Sequence, residues 1–256
     1  MWDRAIIKAN AKAALRGRFW VAFAVVLTVA VLPNVLSYWA SPKYSDYYRE
    51  LLNGHYPDSS WIAPYSLLST LVNIFILIPL IIGMMRFFVQ NRFGHTQYDN
   101  VFSGFRQGYG SSVLTTFVTY LFIALWSLLL IVPGIIKALQ YSMVPFILSD
   151  NPNIDGSRAR QISRTMTDGE KGAIFVLGLS FIGWALIPSI VGSIFDYFNP
   201  LLGMIISSVG MLFLYPYITA TFTELYVFLR DRAIQSGMVH PAELNLLPPQ
   251  EQQPQM

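Results

Sequence analysis

From Ser112 to Ser149 the chain is almost continuously apolar, "SVLTTFVTYLFIALWSLLLIVPGIIKALQYSMVPFILS". As a single helix this run would be about 55 Å long, roughly twice what the hydrocarbon core of a bilayer requires. Pro133 and Gly134 interrupt it. Proline blocks helical continuation, and glycine accepts the backbone conformation that reverses direction. The expected outbound leg is 112–132. The return leg, 135–148, is short at about 21 Å. Two topologies follow, a hairpin that crosses and comes back or a re-entrant dip.

The rest of the chain repeats the pattern. Apolar blocks at 19–39, 66–88, 173–195 and 201–228 each have the length of one crossing. Trp20 and Trp39 bracket the first, as aromatic residues do at the two faces of a bilayer. With 54% apolar and only 12% charged residues, the chain falls well below the charge content of a soluble domain. A soluble fold would need several helices that are apolar all round. The expected class is therefore all-α, a polytopic membrane protein of six transmembrane helices.

Charge placement separates the two topologies. If Pro133-Gly134 joins two true spans, fourteen basic residues share one side and only Lys43, Arg49 and Lys137 lie on the other. If the return leg dips back out, the loop with Arg158, Arg160, Arg164 and Lys171 changes sides, and the count becomes ten against seven. The positive-inside rule favours the hairpin, with both termini cytoplasmic in a bacterial cell membrane. Its short return leg is tolerable as a mismatch of fractions of a kcal/mol per Å. Lys137 then lies close enough to the outer surface to snorkel.

Residues 1–18 carry Arg4, Lys8, Lys12 and Arg16 at every fourth position, one stripe on a helix. This reads as an amphipathic helix on an anionic membrane surface, or as a basic flank that orients the first span; the two are compatible. Val101, Phe102, Phe105 and Tyr109 suggest a second short interfacial helix. A third has Ala159, Ile162 and Met166 on one side and Arg158, Arg160 and Arg164 mainly elsewhere, with Asp155 as its cap. Domain organisation is then a basic segment at 1–18, a six-span unit at 19–228, and a polar, disordered tail at 229–256. Each span contains or ends at one proline, a kink or an ordinary tolerated residue. Gly203 with Ser207, and Ser189 with Ser193, have the small-xxx-small spacing of close helix contact.

The segments "AKAALRGRFW", "VFSGF", "PGIIKALQYSMVPFILSDNP", "SRTMTDGEK", "LSFIGWALI" and "YPYITATFTELY" resemble a bacterial family of integral membrane proteins known as domain of unknown function 975. The likeness extends over roughly residues 5–228. More distantly the arrangement is similar to six-helix membrane domains that accompany glycerophosphodiester phosphodiesterases, whose catalytic domain has no counterpart here. The resemblance implies the fold and assigns no active-site residues.

Reactive chemistry is sparse. There is no cysteine, so no thiolate site or disulfide exists. His55, His95 and His240 are far apart and none has metal-ligand spacing. Asp46, Glu50, His55 and Asp58 share the outer loop, where they gather a cation or are simply solvated. No phosphate-cradling glycine loop is present, and no cofactor, catalytic residue, metal site or nucleic-acid partner is expected. The charges deepest in the spans are Arg86, Lys137 and Glu224, with Asp150 at the end of the return leg. Glu224 is expected either to pair with Arg86 or an arginine of 158–164, or to stand alone at headgroup level. Neutral groups such as Asn34, Asn73, Thr115, Thr116, Thr119, Gln140 and Thr219 line a solute path or bond between helices. The function expected is a non-enzymatic membrane component: scaffold, envelope-protein partner or lipid-organisation factor. Its partners would be the bilayer, anionic headgroups and other membrane proteins. The alternative is a small-solute permease or exporter.

Overall fold

The computed structural model describes residues 2–40, 49–50, 53–55 and 62–246, and every regular element among them is helical. α1 (Arg4–Leu15) is capped by Asp3, whose carboxylate accepts from the Ala5 amide, and α2 (Phe19–Ala40) follows. α3 (Ile62–Val72) runs through a π-helical turn (Asn73–Leu77) into α4 (Ile78–Arg92). A 3-10 turn (Tyr98–Phe102) and the single turn α5 (Ser103–Arg106) lead to α6 (Tyr109–Leu129). α7 (Ile131–Gln140) and α8 (Val144–Asp150) come next, then α9 (Gly156–Met166) and α10 (Lys171–Asp196). α11 (Pro200–Gln235) and a 3-10 turn (Pro241–Leu244) complete the order. Six stretches, Phe19–Leu36, Ser66–Arg92, Tyr109–Leu129, Ile131–Asp150, Lys171–Asp196 and Pro200–Gln235, are long and apolar enough to cross a membrane. That is the pattern of a multi-pass membrane protein.

The long apolar run is a hairpin. α6 and the α7–α8 leg lie antiparallel along their whole length: near the tip Gly134 meets Ser127, and at the base Ser112 Oγ donates to the Pro152 carbonyl at 3.3 Å. A dip would not return Pro152 to the start of α6. The reversal, however, is not at Pro133-Gly134. It falls at Leu130, whose backbone is extended (φ −159°, ψ 145°). Pro133 instead sits in the first turn of α7, where its missing amide has no helical acceptor to lose. Gly134 lets the two legs touch, because a Cβ there would collide with Ser127. Leu128 to Val132, at the tip, are 65–83% exposed, a surface suited to lipid.

Two other prolines interrupt helices in ways the neighbours repair. Pro79 cannot donate to the Phe75 carbonyl, and the Tyr109 hydroxyl donates to it instead at 3.0 Å. Pro145 opens α8 after the bend at 141–143, and the Tyr141 carbonyl accepts from the Val144 amide. Pro33, Pro188 and Pro216 lie inside α2, α10 and α11.

Close backbone contacts fix the rest. The segment 98–106 was expected as one helix with Val101, Phe102, Phe105 and Tyr109 on a face. It is a 3-10 turn plus one α turn, and Tyr109 already belongs to α6. The reason is its tight seat on α4: Gly83 faces the Val101 carbonyl and Gly104 faces the Pro79 backbone, leaving no room for a Cβ at either. Between α10 and α11 the contact is made by Gly192, Gly203, Ser207 and Gly210, the last against Pro188. Gly203 and Ser207 are thus where their spacing put them. Ser189 and Ser193 instead bond carbonyls of their own helix and stay exposed.

Burial is uneven along the bundle. Ile147, Leu148, Ile162, Met166, Leu177 and Tyr226 are fully buried in one core where α8, α9 and the close of α11 meet, and Phe87 and Phe88 are fully buried in a second with α1 and α2. At the other end Ile182, Ile187, Ile190, Ile194, Leu201 and Met204 of α10 and α11 are exposed. The packed end also holds a segment expected to be disordered. α11 continues to Gln235, and Val239 and Leu244 fold back into the core. Two isolated apolar residues suffice there because α11 has already built the surface that receives them. Residues 247–256 of the expected tail lie outside the described residues.

Gly83→Ala and Gly104→Ala should each destabilise by about 1–3 kcal/mol or more, since only backbone stands in the way. Gly110→Ala and Gly178→Ala, which face open space, should be neutral or slightly stabilising. Thermal unfolding of the purified variants in detergent checks the contrast.

Candidate functional site

The charged groups gather at the packed end, and among the described residues several of them form ion pairs. The return leg ends at Asp150, whose Oδ2 accepts from the Tyr226 hydroxyl at 2.7 Å and from Arg230 at 3.2 Å. Both charged side chains are more than nine-tenths buried. Arg230 Nε also reaches Asp231 at 3.1 Å. The adjoining carbonyls are used as well: Arg86 Nε donates to Ser149 O at 2.8 Å, and Asn245 donates to Asp150 O at 3.2 Å. Arg86 therefore serves the return leg and Gln107, not Glu224.

Glu224 does have a cationic partner, but it is Arg92, with Nε 2.9 Å from Oε2. Arg92 ends α4 and Glu224 lies in α11, so the pair joins the second crossing to the sixth. The choice between Arg86 and Arg92 was invisible in the sequence, because it depends on which face of α4 turns toward α11.

Further pairs tie down the ends of the chain. Arg158 grips Glu243 with two bonds of 2.7 and 3.0 Å, a fork that holds the Glu243 carboxyl below the ordinary range and the guanidinium above it. Asn151 donates to the Glu243 carbonyl at 2.9 Å. Glu170 receives the Trp2 indole N–H at 3.0 Å and also Arg232. Asp155 caps α9 as expected, accepting from the Arg158 amide. Trp2, Arg230, Arg232 and Glu243 were all missed by sequence reasoning. Their partners lie 62 to 168 residues away, apart from Asp231 beside Arg230, and no local spacing announces them.

Other basic residues lack a carboxylate partner. Arg4, Lys8, Lys12 and Arg16 form none of the ion pairs among the described residues. Ile7, Ala11 and Leu15, the residues just before Lys8, Lys12 and Arg16, are the buried residues of α1. Lys8 Nζ bonds Ser180 Oγ at 2.6 Å and lies 4.6 Å over the Phe181 ring; Lys12 Nζ lies 5.7 Å over Tyr217. Partial burial, then Arg4 and Lys12, push the Lys8 amine below its ordinary pKa. Arg160 stacks 5.5 Å over Phe122, and Lys137 lies 5.0 Å over Trp126 on the facing leg of the hairpin.

Cavities divide by chemistry. An open groove of about 630 Å³ runs between α2, α4, α6 and α11 and is mostly apolar, with Asn34, Tyr120, Ser142, Tyr215 and Thr219 as its polar points. A separate polar cleft of about 620 Å³ lies where α7, α9, α10 and α11 come together. Of the other neutral groups, Thr115 packs on Gly156 and Thr119 bonds its own helix. Among the described residues no three His, Asp or Glu side chains gather as a metal site. Asp46 and Asp58 of the outer-loop cluster lie outside the described residues.

Arg230→Met would strand the Asp150 carboxylate in the core and should cost about 3–5 kcal/mol. The double variant Asp150→Asn/Arg230→Met should cost clearly less than the sum of the two single changes. Denaturant unfolding in detergent measures the coupling; strict additivity would mean the pair holds nothing.

No curated protein and no solved structure matches the chain. A family model does match, over the hairpin's return, the arginine-bearing helix and the last two crossings, and there the resemblance read from the sequence stands. Residues 128–233 are similar to the family described as Protein of unknown function (DUF975).

Proposed function

We propose that this chain is an integral membrane component without reaction chemistry of its own, which engages anionic lipid through the basic row formed by α1 and its C-cap Arg16. The row carries the reading: four cations at four-residue spacing, with no carboxylate answering them among the described residues, beside a packed end where Asp150, Glu170, Glu224 and Glu243 are all matched. Lys8 and Lys12 lean over Phe181 and Tyr217, on the flanks of helices apolar enough to cross a membrane. A phosphate headgroup supplies the anion such amines lack, at about 1 kcal/mol per residue near a charged surface.

The orientation that goes with this reading places the packed end, both termini and α9 on the cytoplasmic side of a cell membrane. Fourteen basic residues against three support it. α1 and α9 then act as interfacial helices.

The apolar groove supports a second reading, passage of a small solute. Among the described residues no Asp, Glu, Lys, Arg or His lines it, so these offer no group that titrates near neutral pH to drive transport by proton coupling. Its walls suit an acyl chain better than a polar solute, which returns to lipid.

Two measurements test the proposal. With no native cysteine to interfere, Ser157→Cys should be protected from an impermeant maleimide in intact cells and labelled after permeabilisation. Labelling from outside would invert the map. In native mass spectrometry of the full-length protein, phosphatidylglycerol should be retained in preference to phosphatidylcholine. Replacing Arg4, Lys8, Lys12 and Arg16 by Gln should remove most of that preference; an unchanged preference would end the lipid assignment.

A further inference from the structure

The polar cleft holds a feature that the packing of the bundle does not use. Gln140 ends α7 and is only 7% exposed, yet its Oε1 has no hydrogen-bond partner. Its backbone is not at fault: the Gln140 carbonyl accepts from Ser163 Oγ at 2.8 Å and from Thr167 Oγ1 at 3.4 Å, which fixes the residue between α7 and α9. The side-chain amide thus lines an open cleft from a buried, immobilised position. A native fold rarely leaves such a group unanswered.

The charges around it give the missing partner a sign. Arg164, Lys171 and Arg232 line the cleft, with Asp168 the sole carboxylate among them. Lys171 is engaged by Asp168 at 2.8 Å and Arg232 by Glu170. The Asp168 carboxyl is held below its ordinary range, first by that Lys171 bond and more weakly by Arg164. Arg164 makes no ion pair of its own among the described residues. Its planar guanidinium can take two oxygens of a phosphate at once. The cleft also lies at the start of α10, a 26-residue helix whose first turn has no side-chain cap. An uncapped helix N-terminus favours an anion, though alone it would say little. Thr165 adds a hydroxyl to the same wall.

We infer that this cleft binds a phosphate ester that carries a free hydroxyl, the phosphate on Arg164 and the start of α10, the hydroxyl on Gln140. A hydroxyl both donates and accepts, so it answers either end of an amide. Inorganic phosphate can itself donate from a P–OH, so what sets the ester apart is its second, carbon-borne hydroxyl. The ester could be a soluble molecule or the headgroup of a lipid, and the chemistry at the cleft is the same. The site shares no residue with the row on α1, so the inference stands apart from the proposed function.

The test uses the full-length purified protein and three probes: inorganic phosphate, glycerol 3-phosphate, and nanodiscs of phosphatidylglycerol compared with phosphatidic acid. Either the free ester should bind more tightly than inorganic phosphate, or the hydroxyl-bearing lipid more tightly than phosphatidic acid; which one responds identifies the source. Arg164→Gln, at an exposed position that leaves the core intact, should weaken binding by about tenfold or more. Gln140→Met should erase the advantage of the hydroxyl-bearing probe while leaving phosphate binding in place. The variant with Gln at Arg4, Lys8, Lys12 and Arg16 should bind as the native protein does. Absence of binding by every probe, or affinities that ignore Arg164→Gln, would overturn the inference. Should Gln140→Met fail to fold, the Arg164 result still decides it.

Discussion

Asp150 is the point on which the two halves of the structure meet. A carboxylate at the end of an apolar leg is costly to bury unless every lone pair is answered. Here Tyr226 and Arg230 of α11 answer its side chain, and Asn245 takes its carbonyl. The cost of dehydrating two charges is offset only if these partners arrive together. The return leg, the last crossing and the chain beyond it are therefore placed by one condition. A change of register in α8 would leave Asp150 without its cation in the core and Arg230 with Asp231 alone.

With that end fixed, the rest of the bundle is held by contacts that need no polar chemistry. Gly83 and Gly104 let the 98–106 segment lie on the backbone of α4, and Gly192, Gly203 and Gly210 bring α10 and α11 together. In lipid, where apolar side chains gain little from leaving the solvent, close packing of this kind supplies much of the attraction. Tyr109 shows the same economy, since one hydroxyl both anchors the start of α6 and repairs the gap left by Pro79.

These details mark the boundary of what the letters of the chain reveal. Long apolar blocks and lopsided charge were enough for six helices able to cross a membrane and for the hairpin, because hydropathy and basic residues report on an environment tens of ångströms wide. The position of the reversal was not legible. Pro133 can begin a helix as readily as it ends one, and only the contact of Gly134 with Ser127 puts the bend at Leu130. The fate of 236–246 was hidden for a different reason: its polarity is that of a tail, and Val239 and Leu244 become core only on a surface built elsewhere. Ion-pair partners were the least visible. That Glu224 would find a cation could be argued from its depth, but Arg92 differs from Arg86 by six residues and a rotation about the axis of α4.

The contrast between the two ends also bears on where a ligand can act. At the exposed end, α10 and α11 touch chiefly each other through small residues, and large apolar side chains face outward. Such a surface can solvate in lipid but offers nothing to distinguish one molecule from another. Discrimination requires polar groups fixed in position and not already satisfied. Most of those at the packed end fail the second requirement, because Asp150, Glu170, Glu224 and Glu243 are matched within the fold. Among the groups that are left are a row of cations at α1 and an amide with Arg164 in the cleft. The first answers to charge alone; the second adds the geometry of a hydrogen bond, and is the place where charge and shape are both available to select a partner.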